Sequence, residues 1–405
     1  MATVVLLGTL DTKGREYAFV RGQLATRGIE VLVIDAGVYE PLGLTPDISR
    51  FEVARAAGTD IDTLVRAGDR GRAVTAMGQG AAAVVLGLHA QGRLDGVLAL
   101  GGSGGSSIAA RAMQALPVGV PKLLASTLAS GDTRPYVGAV DITMMYTVVD
   151  ISGINQISAR ILTNAAGAIA GMIQSPAVIR PQGDRPLLAV SMFGVTTPCV
   201  TAAREWLEEH GFEVLVFHQT GTGGQSMEEL VRAGFIRGVL DVTTTELADE
   251  LVGGVMPAYP GRLEAAGAAG LPQAVSLGAL DMVNFGPRAT VPERFADRTF
   301  YIHNPTVTLM RTTADECAQL GLRLAEKLNA AAGATAVFVP LKGVSQIDAE
   351  GQPFHDPEAD AALFRALRDG LADTVERHEL DLHINDPAFA AAMAARLDEL
   401  VRGAA

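Results

Sequence analysis

At 405 residues the chain is too long for one ordinary domain, and with 48% apolar against 19% charged residues it can bury a large core. Its formal charge of −13 repels a phosphate backbone, and no basic run with interleaved aromatics offsets this, so nucleic acid is excluded as a partner. Two cysteines, Cys199 and Cys317, make neither a disulfide framework nor a zinc site, and suit a reducing cytoplasm. No run approaches the ~18 apolar residues of a membrane span. Asp11 interrupts the first apolar run too early for a signal peptide. The expectation is a cytoplasmic protein with no membrane partner.

The N-terminus reads as a strand, Thr3 to Leu7, then the loop Gly8 to Gly14, a helix from about Glu16 to Arg27, and a second strand from Glu30 to Asp35. This is a βαβ opening. Its loop leaves the carboxyl end of the strand, so Thr9, Asp11, Thr12 and Lys13 project into one layer. Thr and Lys suit phosphate and Asp suits a metal ion; alternatively, Thr9 or Asp11 simply caps the following helix. Helical material broken by Gly58 spans Ser49 to Ala67, and a long Ala-rich helix spans Gly71 to Gln91.

The stretch from Leu94 to Ala110 has a buried strand, Val97 to Leu100, which breaks into Gly101, Gly102, Gly104 and Gly105 and then opens a helix. The glycines are expected to take positive φ and admit a ligand closely, while the helix N-terminus and Ser103, Ser106 and Ser107 offer donors. No Lys-Ser/Thr follows, and Ser107 stands at the third glycine of the dinucleotide fingerprint, so an anion site is implied without naming its ligand. Gly101 to Gly105 also spell the G-x-S-x-G of a hydrolase nucleophile elbow centred on Ser103. A tight turn that binds nothing is the plainest alternative.

Lys122 to Ser126 and Tyr136 to Asp150 are the next expected strands, and Ile154 to Ile173 a helix. Ser175 to Pro186, with three prolines, reads as a linker. A second βαβ unit follows: strand Leu187 to Phe193, turn Gly194 to Pro198, helix Val200 to His210, strand Phe212 to His218. Cys199 falls at a helix start, where the dipole lowers a thiol pKa, but reads as buried structure. The loop Gln219 to Gly224 places Gly223 and Gly224 for ligand approach before a helix with Glu228 and Glu229. Thr243, Thr244 and Thr245 precede Glu246, either as hydroxyls around an anion or as a capping box from Thr243 to Glu246.

Later strands are expected at Gln273 to Leu277, Thr299 to Ile302 and Ala336 to Pro340, with Asp281, Asn284, His303 and Asn304 at strand ends as acid/base or binding groups. Helices are expected from Thr313 to Ala331, opened by the capping box Thr313 to Glu316, and near Glu358 to His378 and Pro387 to Arg402. The fold class is α/β: two Rossmann-like subdomains with mostly parallel sheets, a tandem pseudo-repeat over residues 1–180 and 185–405, and a cleft between them for the ligand.

GTLDTKG, GGSGGS, FHQTGTGGQSMEEL, DVTTTELADELVGGV, GALDMVNFGP and HNPTVTLMRTT together resemble uncharacterised protein family 0261. That is the family of ATP-binding domains similar to the N-terminal domain of the tomato mosaic virus resistance protein. The resemblance covers most of the chain and implies a pair of Rossmann-like subdomains, ATP binding and a homodimer, with no settled reaction. Its conspicuous motifs fall on Gly8 to Gly14 and Gly101 to Ser106, which gives Thr9, Asp11, Lys13, Gly101, Gly102, Ser103, Gly104, Gly105 and Ser106 as the nucleotide contacts. Gly223, Gly224, Thr244, Thr245, Asp281 and His303 are expected around a second, unidentified small molecule in the cleft.

The leading functional expectation is therefore an ATP- and Mg²⁺-dependent enzyme or nucleotide-gated regulator of small-molecule metabolism. The rival is a hydrolase with Ser103 as nucleophile and Asp281 and His303 completing a triad. The third is a binding module without chemistry.

Overall fold

A computed structural model describes residues 2–175 and 185–404, which fall into two compact units, residues 1–180 and 181–405. Most of the expected linker, residues 176–184, lies outside the described residues.

Unit 1 begins with β1 (Thr3–Gly8), α1 (Leu10–Ala25), β2 (Glu30–Asp35), α2 (Arg50–Ala56), α3 (Ile61–Ala67) and α4 (Arg70–Ala90). It continues with β3 (Gly96–Gly101), α5 (Ser103–Ala115), β4 (Lys122–Ser126), α6 (Arg134–Val137), β5 (Thr143–Tyr146) and α7 (Gln156–Gln174). All five strands are parallel, in the order β2-β1-β3-β4-β5. Alternation along the strands builds a three-layer unit: Val4 and Leu6 of β1 join the core under α1 and α7, whereas Val5 and Leu7 join the core under α4 and α5. Among the described residues α4 alone has the length and hydropathy of a membrane span, but Met77, Ala81, Val85 and Leu88 pack in that second core.

Unit 2 opens with β6 (Leu187–Met192), α8 (Thr197–Glu209), β7 (Glu213–His218), α9 (Thr222–Arg232), β8 (Gly238–Thr243), α10 (Glu246–Val252), α11 (Ala265–Ala268) and β9 (Gln273–Gly278). An inserted antiparallel sheet follows, made of β10 (Met282–Phe285), β11 (Phe300–Asn304) and β12 (Val307–Arg311) in the order β10-β12-β11. The unit ends with α12 (Ala314–Asn329), β13 (Thr335–Pro340), α13 (Pro357–Gly370), β14 (Glu376–Leu380) and α14 (Pro387–Ala404). Its main sheet is parallel, ordered β14-β13-β9-β8-β6-β7. Numbering only the strands of this sheet and reading from the other edge gives 2-1-3-4-5-6, which repeats the 2-1-3-4-5 of unit 1. The two units therefore share one strand order over their first five parallel strands.

Three expected elements differ. Of Tyr136 to Asp150 only Thr143–Tyr146 is strand, because Pro135 starts the single turn of α6. The helix expected to reach His378 stops at Gly370, and Glu376–Leu380 pairs with β13 as an edge strand whose charged residues hide its strand character. Thr243 does not cap α10. It ends β8, its hydroxyl lies 2.7 Å from that of Thr196, and Thr245 stands at the N-cap without a side-chain bond.

Candidate functional site

The strand order of unit 1 reverses between β1 and β3, and helices leave these strands toward opposite faces of the sheet. In such folds the crevice beyond the strand carboxyl ends at this point is the favoured ligand site. A cavity of about 530 Å³ opens there. Its polar lining comes from Thr9, Asp11, Lys13, Arg70 and the loop Gly102 to Gly105, and its apolar lining includes Leu64, Val74, Met77 and Ile108.

Helix starts contribute to the polar lining. Thr9 is the N-cap of α1 and Gly102 the N-cap of α5, and neither N-cap residue bonds its own first turn through a side chain. The first-turn N–H groups and positive dipole end of α5 are thus left for a ligand, whereas at α1 Asp35 Oδ1 accepts the Leu10 N–H at 3.2 Å. α4 also begins at the cavity, but Asp69 caps it through a 3.0 Å bond from the Arg72 N–H.

Packing separates the four glycines of the loop. A Cβ on Gly101 would lie 2.6 Å from the Ser106 nitrogen, so the strand-to-helix turn itself requires that glycine. Gly102, Gly104 and Gly105 have no such obstacle: the nearest atoms would be 3.8 Å (Thr127 Oγ1), 3.4 Å (Arg70 Nη2) and 3.4 Å (Leu100 O) away. None of the four takes positive φ, contrary to expectation. Two of these glycines lie in the first turn of α5, where glycine weakens a helix by about 1 kcal/mol relative to alanine. Their bare backbone is explained by an approaching ligand better than by packing.

The side chains divide similarly. Ser103 is exposed, whereas Ser106 is buried, with its hydroxyl 2.7 Å from Ser126 Oγ and 3.2 Å from Gly101 O, pinning the turn to β4. Asp11 Oδ2 accepts the N–H groups of Val38 and Tyr39, both at 3.1 Å, while its Oδ1 is buried without a partner. Lys13 breaks the helical dihedrals of α1 and donates to the Ile151 carbonyl. Asp35, at the end of β2, accepts from Leu10 N and Gly37 N; burial raises its pKa above the usual carboxylate range.

Thr9, Asp11, Lys13, Gly102, Ser103, Gly104 and Gly105 therefore line one cavity, with Gly101 and Ser106 in the turn behind it. Arg70 was missed because the expected helix began one residue later; the capping Asp69 was the available signal.

In unit 2 the corresponding point, at the ends of β6 and β8, is filled by protein. Fully buried Arg262 grips Asp241 through two bonds (2.5 and 2.8 Å), Glu246 at 2.7 Å and Glu228 at 3.5 Å. A Cβ on Gly224 would collide with Glu246 and Arg262, and one on Gly223 with the His218 carbonyl, so packing accounts for both glycines. Thr244 and Thr245 are fully buried, with Thr244 Oγ1 donating to Ser276 O at 3.2 Å. Asp281 is sealed in a second cluster, where it accepts from Ser345 Oγ at 2.8 Å beside Arg311; burial is the main force raising its pKa. His303 lies on the exposed strand β11. Cys199 is buried, and burial pushes its thiol up to about 12, opposite to the dipole effect.

Unit 1 is thus a doubly wound α/β domain with a ligand-sized cavity over helix N-termini at its switch point, and unit 2 repeats the fold with that point occupied by an ion network. The chain belongs to the uncharacterised protein family UPF0261. Residues 2–177 match that family's N-terminal domain and residues 185–401 its C-terminal domain. A UPF0261 protein of Clostridium tetani is 54% identical over 97% of this chain and 98% of its own length. The UPF0261 protein mlr3387 of Mesorhizobium japonicum is 46% identical over 98% of this chain and 99% of its own. The ToMV resistance protein Tm-1(GCR237) of Solanum lycopersicum is 48% identical over 74% of this chain, a match that spans 41% of that longer protein.

Proposed function

We propose that unit 1 binds an adenine nucleotide, with the phosphates over the starts of α1 and α5 and the base against the apolar wall. The observation that carries this reading is the coincidence, at the switch point, of an uncapped helix N-terminus, three glycines that packing does not demand, and a cavity within the usual ligand-pocket range. Arg70 and Lys13 also line this cavity. Mg²⁺ fits the reading as well. Such an ion commonly takes one or two carboxylates together with phosphate oxygens, and Asp11, with its unpartnered Oδ1, is the residue that would hold it.

The nucleotide would serve an ATP- and Mg²⁺-dependent enzyme or a nucleotide-gated regulator acting on a second small molecule, working as a homodimer. The buried free thiols of Cys199 and Cys317 suit a cytoplasmic setting. The serine-hydrolase reading has less support. Ser103 starts a helix instead of sitting at a strained turn, and it is not among the described non-glycine residues of positive φ, Val148, Leu263 and Ala279.

Calorimetric titration with ATP and Mg²⁺ tests the proposal. The wild-type chain should bind, and Gly104→Val, which fills the mouth of the loop beside Arg70, should abolish binding; unchanged affinity in the variant means that the phosphate site lies elsewhere.

A further inference from the structure

Behind the loops that line the cavity, in the core under α1 and α7, packs a side chain that no sequence motif marks. Tyr17 of α1 is fully buried, and its ring slides beneath the first loop where only a glycine fits, since a Cβ on Gly8 would collide with the ring. β1 and β3 pair in register from Val4↔Gly96 to Leu7↔Ala99, and beyond that pair the strands part toward their loops. The Tyr17 hydroxyl stands at the parting. It donates to the Leu7 carbonyl at 2.5 Å, with the Leu100 carbonyl at 3.0 Å as alternative acceptor, and accepts the Leu100 N–H at 2.7 Å. The backbone groups that the separating strands would leave unpaired are therefore joined through one phenol oxygen. Leu7 is two residues before Thr9, and Leu100 two before Gly102, so that oxygen is the last tie between the strands before both helix N-caps.

We infer that Tyr17 is a positioning residue that sets the distance between the α1 and α5 N-termini, and so the span over which the site grips phosphate. A side chain that only filled space would need the ring and not the hydroxyl. Tyr17 uses both, and burial keeps the phenol in its neutral, donating form by raising its pKa. The inference rests on the nucleotide reading only for its ligand readout; the loop geometry can be tested without ligand.

The test is Tyr17→Phe, examined first by hydrogen exchange in the ligand-free protein. The amides to follow are Leu100, bonded to Tyr17, Lys13, bonded to Thr9 O at 3.0 Å, and Ser106, bonded to Gly102 O at 2.8 Å. All three should exchange at least about tenfold faster in the variant. Acceleration at Leu100 alone would reduce Tyr17 to a local strand contact and overturn the inference. In calorimetry, ATP affinity should fall about tenfold while adenosine affinity stays the same; equal losses for the two ligands, or none, would overturn it. Failure of the wild-type chain to bind either ligand would sink the nucleotide reading and leave the exchange result to decide on Tyr17. Should the phenylalanine variant fail to fold, p-aminophenylalanine at position 17, which restores a hydrogen-bonding para group, must fold and return the three amides to wild-type rates; failure to do so refutes the positioning role.

Discussion

Ser103 is the residue at which two chemistries part. A nucleophile must keep its hydroxyl, and losing one costs orders of magnitude in rate. A phosphate held by backbone N–H groups loses at most one hydrogen bond, worth about 0.5–1.5 kcal/mol net, or about 3 against a charged oxygen. Ser103→Ala should therefore weaken ATP binding modestly, and the parent should stay inert to fluorophosphonate. Stoichiometric labelling of the parent at Ser103 would restore the hydrolase reading. Buried carboxyls make a second residue-scale prediction. Burial, with Asp281 and Asp360 beside it, raises Asp348 to about 9 despite Arg311. The folded chain keeps this proton where the unfolded chain has lost it, above about pH 4. The unfolded state then binds fewer protons, so this group's contribution to stability is full below about pH 4 and is lost as pH rises toward about 9. Asp348→Asn should gain on the wild type in urea midpoint between about pH 5 and about pH 8; a constant difference would show that Asp348 does not hold the proton. Thr9, Asp11, Lys13 and the glycines were legible because they follow strands directly in sequence. Arg70, in the cavity wall, and Tyr17, in the core behind it, were not, since each stands within a helix, where an arginine reads as surface and a tyrosine as core.

At the scale of elements, similar strings of glycine do different work. The loop of unit 1 leaves its glycines facing open space, whereas Gly224 of unit 2 makes room for Glu246 and Arg262, residues 22 and 38 positions further along. No reading of the string alone could separate the two, because the obstacle comes from elsewhere in the chain. The strand β14 escaped for a related reason: an edge strand is half solvated, and its charges read as a helix surface. Arg262 ties β8, α9 and α10 together while facing three carboxylates. Arg262→Met would leave those acids buried without their cation and should cost about 3–5 kcal/mol, measured by denaturant unfolding. A loss below about 1 kcal/mol would mean that the network is incidental to the fold.

Over the whole molecule, two parallel sheets share the order of their first five strands but differ at the switch point. In unit 1 it opens as a cavity at the uncapped N-terminus of α5; in unit 2 the guanidinium of Arg262 and its carboxylates occupy it. The net charge of −13 makes a general attraction for anions a poor explanation of phosphate binding, which must come from those local N–H groups and the cations beside them. Under the proposed function, one nucleotide per chain is expected. Native mass spectrometry of the protein with ATP and Mg²⁺ tests this most directly: the account expects a single nucleotide per chain in the wild type and none in Gly104→Val, and two nucleotides per chain, or one retained by the variant, would contradict it.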